Sequence, residues 1–87
     1  MPTFDIPKTF YDYRSEQGLP SPTVVAATKR HYRIRLDDPA TAELLDDARH
    51  YASDAIDTKA FPHLMGLKSS ARSTVRAIET AMEKTNV

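Results

Sequence analysis

The residues with most scope for chemistry are Asp46, His50 and Asp54, each four positions from the next. On a helix they would share a face, and a carboxylate, an imidazole and a second carboxylate can hold a divalent cation or relay a proton. His63, in a separate segment, is the obvious further ligand, while His31 stands alone. Zinc sites usually draw on more than one element, so three such groups on one helix read first as a solvated face with ordinary ion pairs. No metal or cofactor is assigned. There is no glycine-flanked serine to act as a nucleophile, and with only Gly18 and Gly66 there is no glycine-rich loop to cradle phosphate. The chain has no cysteine, which removes disulfides and thiolate metal sites. These features point away from an enzyme and toward a protein that works by binding.

Charge is balanced overall, twelve basic against twelve acidic side chains, but it is striped along the chain. Lys29, Arg30, Arg33 and Arg35 fall together with no acid among them. Residues 37 to 57 then carry seven acids against Arg49 alone. Lys59, Lys68, Arg72 and Arg76 follow, again without an acid. Pairing of these blocks with one another inside one small domain is the simplest expectation. A functional basic surface is the alternative: Arg33 and Arg35, projecting from one face with His31, would suit guanidinium contacts to phosphate or to guanine edges. Tyr11 or Tyr13 could stack on a base while Lys29, Arg30 or Arg72 neutralises a phosphate, which would make the chain a sponge for an anionic small ligand or nucleotide.

The elements that must position these groups can be read from spacing. Residues 1 to 22 hold four of the six prolines and four of the seven aromatics, forming a proline- and aromatic-rich N-terminal arm. A short helix from Pro7 to about Gln17 fits within it, since proline suits a first turn and Gly18 suits a stop. Tyr32, Ile34 and Leu36 alternate with His31, Arg33 and Arg35, a half-buried strand over 31 to 36. A helix from Pro22 to Leu36 competes with it, because Val24, Thr28, Tyr32 and Leu36 recur every four residues. Asp38-Pro39 opens a helix over 39 to about 57, with Leu44, Leu45, Ala48, Tyr51, Ala52, Ala55 and Ile56 along its apolar side. A last helix runs from about 68 to 84, capped by Ser69 or Ser70, with Ala71, Val75, Ile78 and Met82 inward. Lys68, Arg72 and Arg76 line its flank.

The predicted fold class is mainly α: one domain over 1 to 87, built on an antiparallel helical hairpin with a short N-terminal helix and one short strand. An all-α arrangement is the alternative. A chain of this size buries only about 60% of the surface its unfolded form exposes. With no disulfide to help, a homo-oligomer, most simply a dimer, is expected. The first residues have neither a basic start nor an apolar run, and no stretch reaches membrane-spanning length, so a cytoplasmic protein without membrane contact is expected.

The order of a short strand with outward Arg33 and Arg35, a helix opened by Asp38-Pro39 and a second helix beginning near Ser69-Ser70 resembles the ribbon-helix-helix repressors. The resemblance covers the layout of residues 30 to 85. It departs from that family in its longer inter-helix loop and in the roughly thirty residues before the strand. It implies a DNA-binding regulator in which His31, Arg33 and Arg35 read bases and Ser69 and Ser70 meet the backbone. The residues themselves favour a different expectation: a small accessory protein of phage or plasmid type, an adaptor or inhibitor that binds another protein through its charged helical faces and aromatic arm.

Overall fold

In the computed structural model, which describes residues 2–53, 58–62 and 64–85, the chain is a mixed α/β domain rather than a mainly α one. The elements run β1 (Thr3–Pro7), α1 (Lys8–Glu16), β2 (Val24–Ala27), β3 (His31–Arg35), α2 (Pro39–Ala52) and α3 (Leu64–Thr85). The strands form one antiparallel sheet in the order β1-β3-β2. β1 and β2 therefore run the same way with β3 between them, and α1 carries the chain across. Neither a helical hairpin nor an all-α fold describes this arrangement: α2 and α3 do pack together, but α3 also lies against β1, and α1 against β1 and β3.

β1 forms because its residues alternate. Phe4 and Ile6 turn to the core while Thr3 and Asp5 face solvent. Its prolines are tolerated because β1 is an edge strand: Pro7 falls where the missing N–H would point away from β3, and Pro2 sits at the very start. β2 and β3 replace the competing helix over 22 to 36. Their connection is the tight turn Thr28–His31, in which the Thr28 N–H donates to the His31 carbonyl at 2.8 Å and the His31 N–H to Thr28 Oγ1 at 3.1 Å. The helical recurrence of Val24, Thr28, Tyr32 and Leu36 loses to this pairing because Ile34 gains complete burial from it. One extra residue between Val24 and Ala26 bulges the edge strand.

α1 ends in a Schellman motif: the Gly18 N–H donates to the Ser15 carbonyl at 3.0 Å and the Leu19 N–H to the Arg14 carbonyl at 3.2 Å. Gly18 adopts φ +73°, the left-handed conformation this motif requires. At α2, the Ala40 N–H donates to Asp38 Oδ1 at 3.0 Å and Pro39 opens the helix, as its sequence foretells. α2 ends at Ala52, short of the expected 57, because Ser53 turns extended (ψ 163°) and caps it with its N–H on the His50 carbonyl; residues 54–57 lie outside the described residues. α3 begins at Leu64, ahead of the predicted start, because the Phe61-Pro62 turn launches it: the Leu64 and Met65 N–H groups donate to the Phe61 and Pro62 carbonyls. Ser69 and Ser70 thus lie inside the helix and do not cap it.

One face of the sheet and the three helices enclose a single core. Ile6 and Ile34 meet Phe10 of α1, Leu44, Leu45 and Ala48 of α2, and Leu67, Ala71 and Ile78 of α3. Full burial of a side chain such as Leu, Ile or Phe is worth about 1.5–3 kcal/mol, so this cluster sets the layer arrangement. The sheet's other face, with Thr3, Asp5, His31 and Arg33, is open to solvent. No helix among the described residues is long and apolar enough to cross a membrane.

Candidate binding site on helix α3

The arginines of β3 are already occupied. Arg33 Nε donates to Asp5 Oδ1 at 3.1 Å across the β1–β3 pairing, and Arg35 forks onto Asp37, Nε to Oδ1 at 3.1 Å and Nη2 to Oδ2 at 2.9 Å. The hydrogen bond from Arg35 holds the Asp37 carboxyl below its ordinary range. His31 is exposed on the same face, and Lys29 and Arg30 occupy the β2–β3 turn. β3 is also the central strand, hydrogen-bonded on both sides, so it offers no edge for pairing with a second subunit.

The tyrosines of α1 face different neighbours. The Tyr11 hydroxyl donates to the Pro22 carbonyl at 2.6 Å, and its ring meets Tyr32 edge-on at 4.9 Å between centroids. Burial, with help from nearby Asp38 and Asp12, raises the Tyr11 pKa. Tyr32 donates to Asp12 at 3.1 Å, and the Lys8 ammonium sits 5.1 Å from its ring centre. Tyr13 instead meets Tyr51, with hydroxyls 3.2 Å apart and rings edge-on at 5.5 Å. Both tyrosines spend their polar ends inside the domain. The depression beside Tyr13 carries Asp12 and Glu16 but no cation.

α3 carries a further group of cations. Arg72 and Arg76 are exposed, and neither forms an ion pair with an acid among the described residues. The acid best placed to neutralise them, Glu79, is held by Arg49 of α2 at 3.2 Å. Arg72, Arg76 and Glu83 border a shallow depression toward α2. On its other side Arg76 joins Ser73, Thr80 and Lys84 as one wall of a groove of about 440 Å³, whose opposite wall is the start of β1, Pro2 to Phe4. Ala77 and Ala81 keep it open because they project so little. No acidic side chain lines it.

Of the residues singled out in the sequence, Ser69, Arg72 and Arg76 share the exposed side of α3. Ser70 turns inward enough for its carbonyl to accept the hydroxyl of buried Thr74 at 2.9 Å. Lys84 was not singled out, although it falls in line with Lys68, Arg72 and Arg76, eight residues beyond the last. Thr3 carried no binding signal and Phe4 only that of the aromatic arm, because their part in the groove depends on β1 lying beside α3. For the metal set, Asp54 and His63 lie outside the described residues, and no group of three potential ligands converges among the described ones. Comparison with protein-family models, with curated proteins and with solved structures finds no match to this chain.

Proposed function

We propose that this chain is a small non-enzymatic binding protein, an adaptor or inhibitor, that docks on an acidic surface of another protein through the outer face of α3. The observation that carries this reading is the contrast between the two sets of arginines. Arg33 and Arg35 are committed to Asp5 and Asp37, whereas Arg72 and Arg76 have no acid partner among the described residues, and Arg76 lines an acid-free groove. Cations left unpaired at a rim steer and orient a partner of opposite charge.

The experiment is cross-linking of the full chain in a cell lysate, comparing wild type with Arg72→Glu/Arg76→Glu and with Arg33→Ala/Arg35→Ala. A complex that disappears with the first pair, persists with the second and weakens as salt rises supports the reading. Equal recovery by all three proteins overturns it. Self-association, expected from the small size of the core, is part of the same reading, and sedimentation equilibrium of the purified protein decides it. The DNA-regulator and nucleotide-sponge readings draw less support from this geometry, because β3 lacks a free edge and the tyrosines of α1 are packed.

A further inference from the structure

We propose that the groove between the start of β1 and the C-terminal half of α3 receives an extended acidic segment of the partner, which pairs with the Thr3 backbone and sets carboxylates on Arg76 and Lys84. This rests on the reading of α3 as the binding face and names the kind of segment that face takes.

The backbone of β1 supplies half of the site. The Leu36 N–H donates to the Pro2 carbonyl at 3.0 Å and the Lys8 N–H to the Arg30 carbonyl at 3.0 Å, with Thr3 opposite Arg35 and Asp5 opposite Arg33. In an antiparallel pair the peptide groups alternate in direction, so the even-numbered residues of β1 bond to β3. The N–H and C=O groups of Thr3 and Asp5 therefore point away from the sheet, and no described residue of another element supplies them a backbone partner. Thr3 lies in the groove. A free strand edge beside a side-chain groove is the arrangement by which extended peptides add to sheets, with the backbone giving affinity and the groove giving selectivity.

α3 supplies the other half. From Ser73 to Lys84 the helix rises about 17 Å, the length of about five extended residues. Arg76 and Lys84 are separated by about 12 Å of helix rise. Side chains four residues apart on one side of a strand are separated by about 13 Å. Acids four apart in an extended segment therefore reach both cations, with intervening side chains over Phe4, Ala77 and Ala81. Duplex DNA carries a charge about every 1.7 Å and would call for a dense basic stripe; two cations over an alkyl floor fit sparse carboxylates.

The test uses the isotopically labelled full chain and a seven-residue peptide with blocked ends, two glutamates four apart, and alternating valine and threonine between them. The glutamate peptide is expected to bind at least ten-fold more tightly than its glutamine counterpart and to slow hydrogen exchange at the Thr3 amide. Arg76→Glu and Lys84→Glu should each weaken binding at least ten-fold. Thr3→Pro, which removes the outward N–H at an edge position that proline tolerates, should weaken it similarly with little change in the melting temperature. Failure of the peptide to bind, unchanged binding by both charge reversals, or unaltered exchange at Thr3 overturns the inference. If Thr3→Pro still captures a protein that Arg72→Glu/Arg76→Glu loses, docking on α3 stands and strand pairing falls. If neither variant loses it, both fall.

Discussion

Arg14 and Asp47 form the one ion pair with a fully buried cation among those described: Arg14 Nε donates to Asp47 Oδ2 at 2.8 Å with the arginine side chain 1% exposed and the aspartate 38%. The guanidinium also donates through Nη1 to the Pro20 carbonyl at 2.7 Å, so it ties α1 to α2 and to the loop before β2. The two halves of the pair are unequal, since water can reach Asp47 but not Arg14. Asp47→Ala strands a buried cation and should cost about 3 kcal/mol. Arg14→Met keeps the stem's packing and releases a partly wet carboxylate, so it should cost less. Urea unfolding of the two variants checks the order; a larger loss for Arg14→Met would contradict this account.

The two glycines should respond to alanine with opposite signs. Gly18 holds φ +73° in the Schellman motif, and a Cβ there, though meeting no atom within 4 Å, strains the backbone. Gly18→Ala should destabilise by about 1 kcal/mol. Gly66 is helical, with nothing within 4 Å of an added Cβ. Gly66→Ala should stabilise by up to about 1 kcal/mol. Thermal melts read both changes directly.

Tyr51 should ionise late. Its hydrogen bond with Tyr13, then its burial, push its pKa from 10.0 up to about 12. A phenol whose folded pKa exceeds the unfolded one favours folding while it is neutral. That contribution is complete below the ordinary value of 10.0 and is lost as the pH climbs toward about 12. Tyrosinate absorbance of the folded protein should show a late-titrating ring that Tyr51→Phe removes. Tyr13→Phe should bring that ring's titration down; no movement would mean the hydroxyl contact does not govern it.

The ion pairs on the open sheet face should matter little. Arg33 and Asp5 are 49% and 41% exposed, and Arg35 and Asp37 are 40% and 44% exposed. Such pairs contribute about 0–1 kcal/mol each. Arg33→Ala/Arg35→Ala should leave the melting temperature nearly unchanged, and duplex DNA at low salt should show no gel shift that depends on these two arginines. A shift abolished by the double variant would restore the DNA reading at the expense of α3.

The helices were legible because their signals are local. Asp38-Pro39 states its own cap, and Leu44, Leu45 and Ala48 state their own face. β3 was legible from the alternation of Tyr32 and Ile34 with Arg33 and Arg35. β1 carries the same alternation in Thr3-Phe4-Asp5-Ile6, but prolines at both ends mask it, and only an edge position reconciles them with a strand. β2 has no alternation, and its turn through Lys29 and Arg30 lacks the glycine or asparagine that marks many hairpins. Half of the candidate site was visible in Arg72 and Arg76. The neutralisation of Arg33 was not, since it depends on a cross-strand register with Asp5 that no local pattern specifies. Without β1 and β2 in view, the helices appeared to lack a surface to cover.

The placement of β3 between β2 and β1 also has a kinetic side. β2 and β3 meet across a two-residue turn, a contact of the kind that forms in about 1–10 μs. β1 must find Ile34 and Arg35 across the whole of α1 and that hairpin, and such distant closures come late in assembly. The strand that walls the groove is thus the last of the three to join the sheet, and a ligand seated against Thr3 would act as a clasp on the seam that closes latest.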